Sequence, residues 1–213
     1  MHVTIIIDVF RAFTTASYVL EQGPKTYILT SKCHVISRLE KNFQNPLLIG
    51  KPEKGSRLLY DIPNSPTRTK EVKTEGRPIL HRTEAGARGI LKARNTDLIL
   101  AAGLVNANAT AQYIRTLPQA KIKIFPMGHE GITPSLEDHI CQLYIQACLR
   151  GEKMALSPFL SQLRKGPGRY FFSQDQWQYP IEDFARCVST GRFNFAIQAE
   201  VKNDYAILSR CDA

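Results

Sequence analysis

Apolar and polar positions along the first 150 residues alternate between two rhythms. Val3-Thr4-Ile5-Ile6-Ile7 is a short β-branched run without polar alternation, as expected of a strand buried on both faces. Phe10 to Glu21 then carries a helical repeat, and Gly23-Pro24 stops it. Thr26 to Thr30 predicts a second strand. Ser31 is placed to cap a helix in which Val35, Ile36, Leu39 and Phe43 share one face. Leu47 to Ile49 predicts a short strand ending at Gly50, followed by an irregular stretch from Lys51 to Pro66. The rhythm resumes with strands at Pro78 to Thr83, Asp97 to Ala102 and Lys121 to Phe125. Helices are predicted at Ala87 to Ala93, Asn106 to Leu117 and Ser135 to Arg150. Strands separated by helices imply βαβ units, an α/β class and a mainly parallel or mixed central sheet.

After Gly151 the rhythm breaks. Leu156 to Leu163 and Ile181 to Val188 read as helices, with Gly166-Pro167-Gly168 between them. Phe195 to Val201 and Tyr205 to Leu208 read as a closing hairpin about Asn203-Asp204. Residues 1–150 are therefore expected to form the α/β core. The sixty or so residues after them are too few to be stable alone, so residues 151–213 should pack on the same domain.

Composition narrows the picture. Hydrophobic residues make up 43% of 213 and charged residues 22%, as in ordinary globular chains. The longest apolar run, Leu98 to Val105, is far too short to span a membrane, and no secretory signal pattern opens the chain. No membrane partner and a cytoplasmic location are expected. Five cysteines, Cys33, Cys141, Cys148, Cys187 and Cys211, are widely spaced without a C-x-x-C pair, which fits reduced thiols. A formal charge of +9 favours anionic partners. Lys and Arg are scattered rather than blocked, so no nucleic-acid partner is expected. The sequence leaves a homodimer open.

Candidate chemistry gathers just after the predicted strands: Asp8, Gly50, Thr83 to Gly86, Gly103 to Asn106, and Gly128 to Gly131. If the strands are parallel, their carboxyl ends share one edge and these segments converge there. Asp8, Asp61, Glu137 and Asp138 are the carboxylates best placed for a hard cation. Magnesium takes one or two carboxylates, several waters and a substrate phosphate. Arg11 suits a phosphate or carboxylate clamp, and backbone amides at Thr83-Glu84-Ala85-Gly86 suit an anion. Each has an ordinary structural alternative. Acids in a first helical turn favour the helix dipole, Asn106 is a usual N-cap, and Asn64-Ser65-Pro66 is a usual turn. His129-Glu130 has no second His at helical spacing, which argues against zinc.

Taken in order, IIIDVFRAFTT, YDIPNSP, HRTEAGARGI, AAGLVNANATA and MGHEG with SLEDHIC resemble the 2-phosphosulfolactate phosphatase family, the ComB-like proteins of coenzyme M biosynthesis. The match covers roughly residues 3–150 and resumes faintly at DFARC and the closing strands. The resemblance implies a three-layer α/β/α fold and a magnesium-dependent phosphatase. The implied substrate is a small anionic phosphate ester, a phosphorylated 2-hydroxy acid bearing a second anionic group. By position it implies catalytic roles for Asp8, Arg11, Asn64, Ser65 and Thr83. It implies phosphate binding by Arg11, Thr83, Gly86 and Asn106, and Mg²⁺ binding by Asp8, Asp61, Glu137 and Asp138. One carboxylate, Asp8 leading, would attack phosphorus or position water. The chain departs from the family at Lys51, Pro63, Glu84 and Ala87. Lys51 puts a cation where an acid is usual, Glu84 would repel phosphate if it faced the site, and Ala87 lacks a hydroxyl donor. These departures motivate an alternative, a diverged member that binds phosphate or another anion without turnover.

Overall fold

The computed structural model describes residues 1–52, 58–129 and 131–212, and they fold around one eight-stranded sheet. Chain order gives β1 (His2–Ile7), α1 (Ala12–Glu21), β2 (Thr26–Thr30), α2 (Cys33–Glu40) and β3 (Leu47–Ile49). Then follow β4 (Pro78–Arg82), α3 (Ala85–Lys92), β5 (Leu98–Ala102), α4 (Ala107–Arg115), β6 (Lys121–Pro126) and α5 (Leu136–Arg150). The last part contains α6 (Leu160–Lys165), α7 (Ile181–Cys187), β7 (Phe195–Val201) and β8 (Ala206–Asp212), with short 3₁₀ turns between. No helix among the described residues is long and apolar enough to cross a membrane.

Local signals account for most boundaries. Gly151 takes φ 77° and closes α5, its amide returning to Cys148 O. Ser31 does not cap α2; the residue before that helix is Lys32, and no side chain caps it. Thr30 Oγ1 instead accepts from Lys32 N at 3.3 Å, holding the strand-to-helix turn one residue away from the expected cap.

The strand order is β3-β4-β2-β8-β7-β5-β1-β6. β1 pairs in parallel with β5 and β6, and β4 with β2 and β3. The hairpin β7–β8 lies between these two groups and is antiparallel to both neighbours. Three antiparallel steps from β5 to β2 reverse the local sense, so a single carboxyl edge shared by all six parallel-paired strands does not exist. The alternation of strands and helices suggested one because it carries no information about what is inserted between the two halves.

Convergence has another origin. Neighbouring strands rotate by about 20–25°, which over the four steps from β1 to β2 accumulates to about a right angle. A twist of that size brings α3, which follows β4, back against β1. Gly89 keeps that approach close: a Cβ there would lie 2.7 Å from Ile6 Cγ2. Three apolar clusters fill the layers. One joins α1 and α3 to one face of the sheet through Phe13, Val19, Ile90, Phe193 and Phe195. The others place α4 and α5 over β1 and β5, and α2 over β2 to β4, on the opposite face. Helices on both faces of a mixed sheet give the three-layer α/β architecture.

Candidate active site

Asp8 follows the last residue of β1, where the chain turns into α1. Its backbone is fixed by a hydrogen bond from Asp8 N to Ala102 O at 3.1 Å. Its side chain is buried and bridges two segments: Oδ1 accepts from Ala12 N at 3.1 Å and Oδ2 from Gly86 N at 2.9 Å. Gly86 makes that approach possible. A Cβ at this position would sit 2.9 Å from Phe13 Cζ and 3.0 Å from Asp8 Oδ2. The Gly86 amide, expected to cradle phosphate, holds Asp8 instead.

Asp138, in the first turn of α5, does the same for two further loops. Oδ1 accepts from Val9 N and Oδ2 from Gly128 N, both at 2.8 Å. The β1–α1, β4–α3 and β6–α5 connections are thus tied together by two carboxylates. Glu137 joins them, buried, with Oε2 lacking a hydrogen-bond partner among the described residues. Crowding shows in their acidities. Burial pushes Asp138 well above the usual carboxylate range, and the charges of Asp8 and Glu137 add to it. Burial also raises Glu137, with Asp8 repulsion contributing, and raises Asp8 against the lowering effect of its two amide donors and Arg11.

Arg11 is buried beside this group. Nη1 donates to Gln178 O at 2.8 Å and to Asp183 Oδ2 at 2.6 Å. The guanidinium lies 4.9 Å from the Tyr179 ring centroid and 5.7 Å from that of Phe171. Nη2 and Nε make no hydrogen bond to the described residues, which leaves a donor edge for an anion. Asn64 Oδ1 is buried without a partner among the described residues. Thr83 is half-buried, its amide bonded to Thr30 O at 3.0 Å and its hydroxyl unbonded among the described residues.

Other expected site residues serve the scaffold. Ser65 Oγ donates to Asp183 Oδ1 and accepts from Arg68 N. Asn106 is fully buried; Oδ1 accepts from Gly103 N at 2.9 Å and Nδ2 donates to Ala101 O at 3.1 Å. Its amide thus holds the turn after β5, satisfying the Gly103 N–H and the Ala101 carbonyl. Asp61 is exposed beside the edge strand β3, where Oδ2 accepts from Leu48 N at 2.8 Å. Among the described residues no hydrogen bond links the Asp61 side chain to Asp8, Glu137 or Asp138.

Two departures from the family pattern meet at Arg82. Glu84 pairs with Arg82 at 3.0 Å and Arg88 at 3.1 Å. Lys51 is exposed, and its carbonyl accepts from Arg82 Nη1. Ala87 is packed in the core. Glu53 and Glu130 lie outside the described residues.

The residues sequence reasoning missed are His81, Tyr179 and Asp183. His81 is fully buried in β4, with Tyr27 Oη 2.6 Å from Nδ1. Asp183 belongs to the DFARC segment, whose first-turn acid looks like an ordinary helix-dipole partner. A cavity of about 750 Å³ lies elsewhere, between α3 and β6, lined by Ile6, Phe125, Met127 and Ile132 but by none of Asp8, Arg11, Glu137 or Asp138.

Comparison with known proteins places this arrangement. A family model described as 2-phosphosulpholactate phosphatase matches residues 1–162. The chain belongs to the 2-phosphosulpholactate phosphatase family. Members are phosphoric monoester hydrolases by class. A probable 2-phosphosulfolactate phosphatase of Bacillus subtilis (strain 168) is 26% identical over 212 residues, covering 98% of this chain and 91% of that protein. One from Symbiobacterium thermophilum is 33% identical over 146 residues, 65% of this chain and 60% of the relative. One from Synechococcus sp. (strain WH7803) is 29% identical over 140 residues, 64% of this chain and 56% of the relative. The matched region contains Asp8, Arg11, Glu137 and Asp138; Asp183 lies beyond the family model's match.

Among the described residues no group of three or more His, Cys, Asp or Glu is arranged to hold a metal directly. Magnesium does not need one, since one or two carboxylates with waters and a phosphate complete its shell. Buried acids that raise one another's pKa, one with an orphaned oxygen, are suited to a cation brought to them.

Proposed function

We propose that this family member hydrolyses a small phosphorylated 2-hydroxy acid in a magnesium-dependent reaction, with 2-phosphosulfolactate as the model substrate. The observation that carries the reading is the buried group Asp8, Glu137 and Asp138, with the unpartnered Glu137 Oε2, beside the free donor edge of Arg11. Asp8, Glu137 and Asp138 are the residues that would hold Mg²⁺, which when bound neutralises phosphate charge. Arg11, through Nη2 and Nε, binds the ester's remaining oxygens, and the Thr83 hydroxyl adds a donor. Asp8 is held in place by two amides, so it meets phosphorus or a water in one orientation. The net positive charge of the chain suits a substrate with two anionic groups.

Phosphate release from 2-phosphosulfolactate with Mg²⁺ is the assay. EDTA should abolish turnover, and Asp8→Asn should reduce kcat by on the order of 10²–10³-fold, the scale of one lost electrostatic group at a reacting centre. Folded protein that releases no phosphate from this ester or from related phosphorylated hydroxy acids would overturn the reading.

A further inference from the structure

Asp183 stands in the first turn of α7, where an acid is unremarkable in sequence terms. Its surroundings are not those of a helix cap. The side chain is fully buried and accepts three hydrogen bonds, none from α7. Oδ1 takes Ser65 Oγ and Thr67 N, each at 2.9 Å, and Oδ2 takes Arg11 Nη1 at 2.6 Å. One carboxylate therefore joins the turn that carries Asn64 to the guanidinium that follows β1. Both lie more than a hundred residues away in the chain.

Neighbouring residues close on the same guanidinium. Gln178 O accepts from Nη1, and the rings of Tyr179 and Phe171 pack against it. Arg68 anchors this segment from outside, donating to Gln176 O at 2.8 Å and stacking on Trp177 at 4.7 Å. All of these C-terminal contacts lie past residue 162, where the family model's match ends.

We propose that Asp183 is a positioning residue for phosphate capture. By fixing Nη1 it aims Nη2 and Nε of Arg11, and by holding Ser65 and Thr67 it sets the Asn64 amide, before substrate arrives. An arginine already clamped gives up little freedom when an anion binds, whereas a loose one must be ordered each time. A buried ion pair is weak evidence for stability, so a positioning role is the stronger account of this one. The inference rests on the phosphatase reading of Arg11.

The test compares Asp183→Asn with Arg68→Ala, which loosens the same segment without touching Arg11 or Asp183. Each is measured for 2-phosphosulfolactate hydrolysis and, by calorimetry with Mg²⁺, for binding of inorganic phosphate. Asp183→Asn should raise KM and weaken phosphate binding by about tenfold or more, the scale of a displaced bidentate clamp, with kcat changed far less. Arg68→Ala should leave both within about threefold. Equal losses in the two variants, or an unchanged KM in Asp183→Asn, would overturn the inference while leaving the phosphatase reading intact. Wild-type protein that neither hydrolyses the ester nor binds phosphate overturns both. Should Asp183→Asn not fold, Ser65→Ala, which removes one of the three donors, is expected to raise KM about threefold; no change there overturns the inference.

Discussion

His81 offers a sharp physical test of this interior. It is fully buried in β4, Nε2 has no hydrogen-bond partner among the described residues, and burial together with the nearby Arg11 charge lowers its pKa from 6.5 to about 3. Folded protein therefore keeps the ring neutral while the unfolded chain takes up a proton. Stability from this source is complete above the unfolded pKa of 6.5 and falls as pH drops through the window toward 3. At about pH 4.5 the unfolded imidazole is about two units below its pKa, worth about 2.7 kcal/mol. Other groups titrate in the same range, and the raised carboxylates act with the opposite sign, so a difference of differences is needed. Denaturant unfolding at about pH 7.5 and pH 4.5 would be compared between wild type and His81→Gln. Between those pH values wild type should lose about 2–3 kcal/mol more than the variant. A difference below about 0.5 kcal/mol would show that the ring is charged or solvated in the folded protein, against its burial.

Two further outcomes test the architecture and the site. Phe195 begins β7, is 1% exposed and belongs to the core cluster; Phe195→Ala should cost about 3–5 kcal/mol in chemical unfolding, and a cost under about 1 kcal/mol would be incompatible with a hairpin in the middle of the sheet. Glu84 is bonded to Arg82 and Arg88. Glu84→Gln should therefore change kcat/KM by less than about threefold, while a gain of about tenfold or more would mean that its charge faces the substrate.

Much of the fold was legible in the chain. β2, β3 and β7 have the predicted limits, and the other elements start or stop within a few residues of theirs. These segments are short, strongly patterned and ended by glycine, proline or a polar turn, so local physics sets them. The gathering of Asp8, Arg11, Glu137 and Asp138 was legible too, because β1 ends just before Asp8 and its parallel neighbour β6 leads into the first turn of α5. What each polar group faces was not. Gly86 and Asn106 looked like anion binders, and one holds Asp8 while the other closes a turn. Asp61 had the right chemistry but lies by the edge strand β3. Partner choice depends on distances across the sheet, to which one-dimensional spacing is blind.

By itself the sequence determined the α/β class and the run of elements, since periodicity and side-chain type act over a few residues. Tertiary structure alone decided that the C-terminal hairpin splits the sheet into two parallel groups, and that Asp183 fastens Arg11 to Ser65. Both depend on pairings between residues a hundred or more positions apart, fixed only when backbone hydrogen bonds and buried charges find partners in three dimensions.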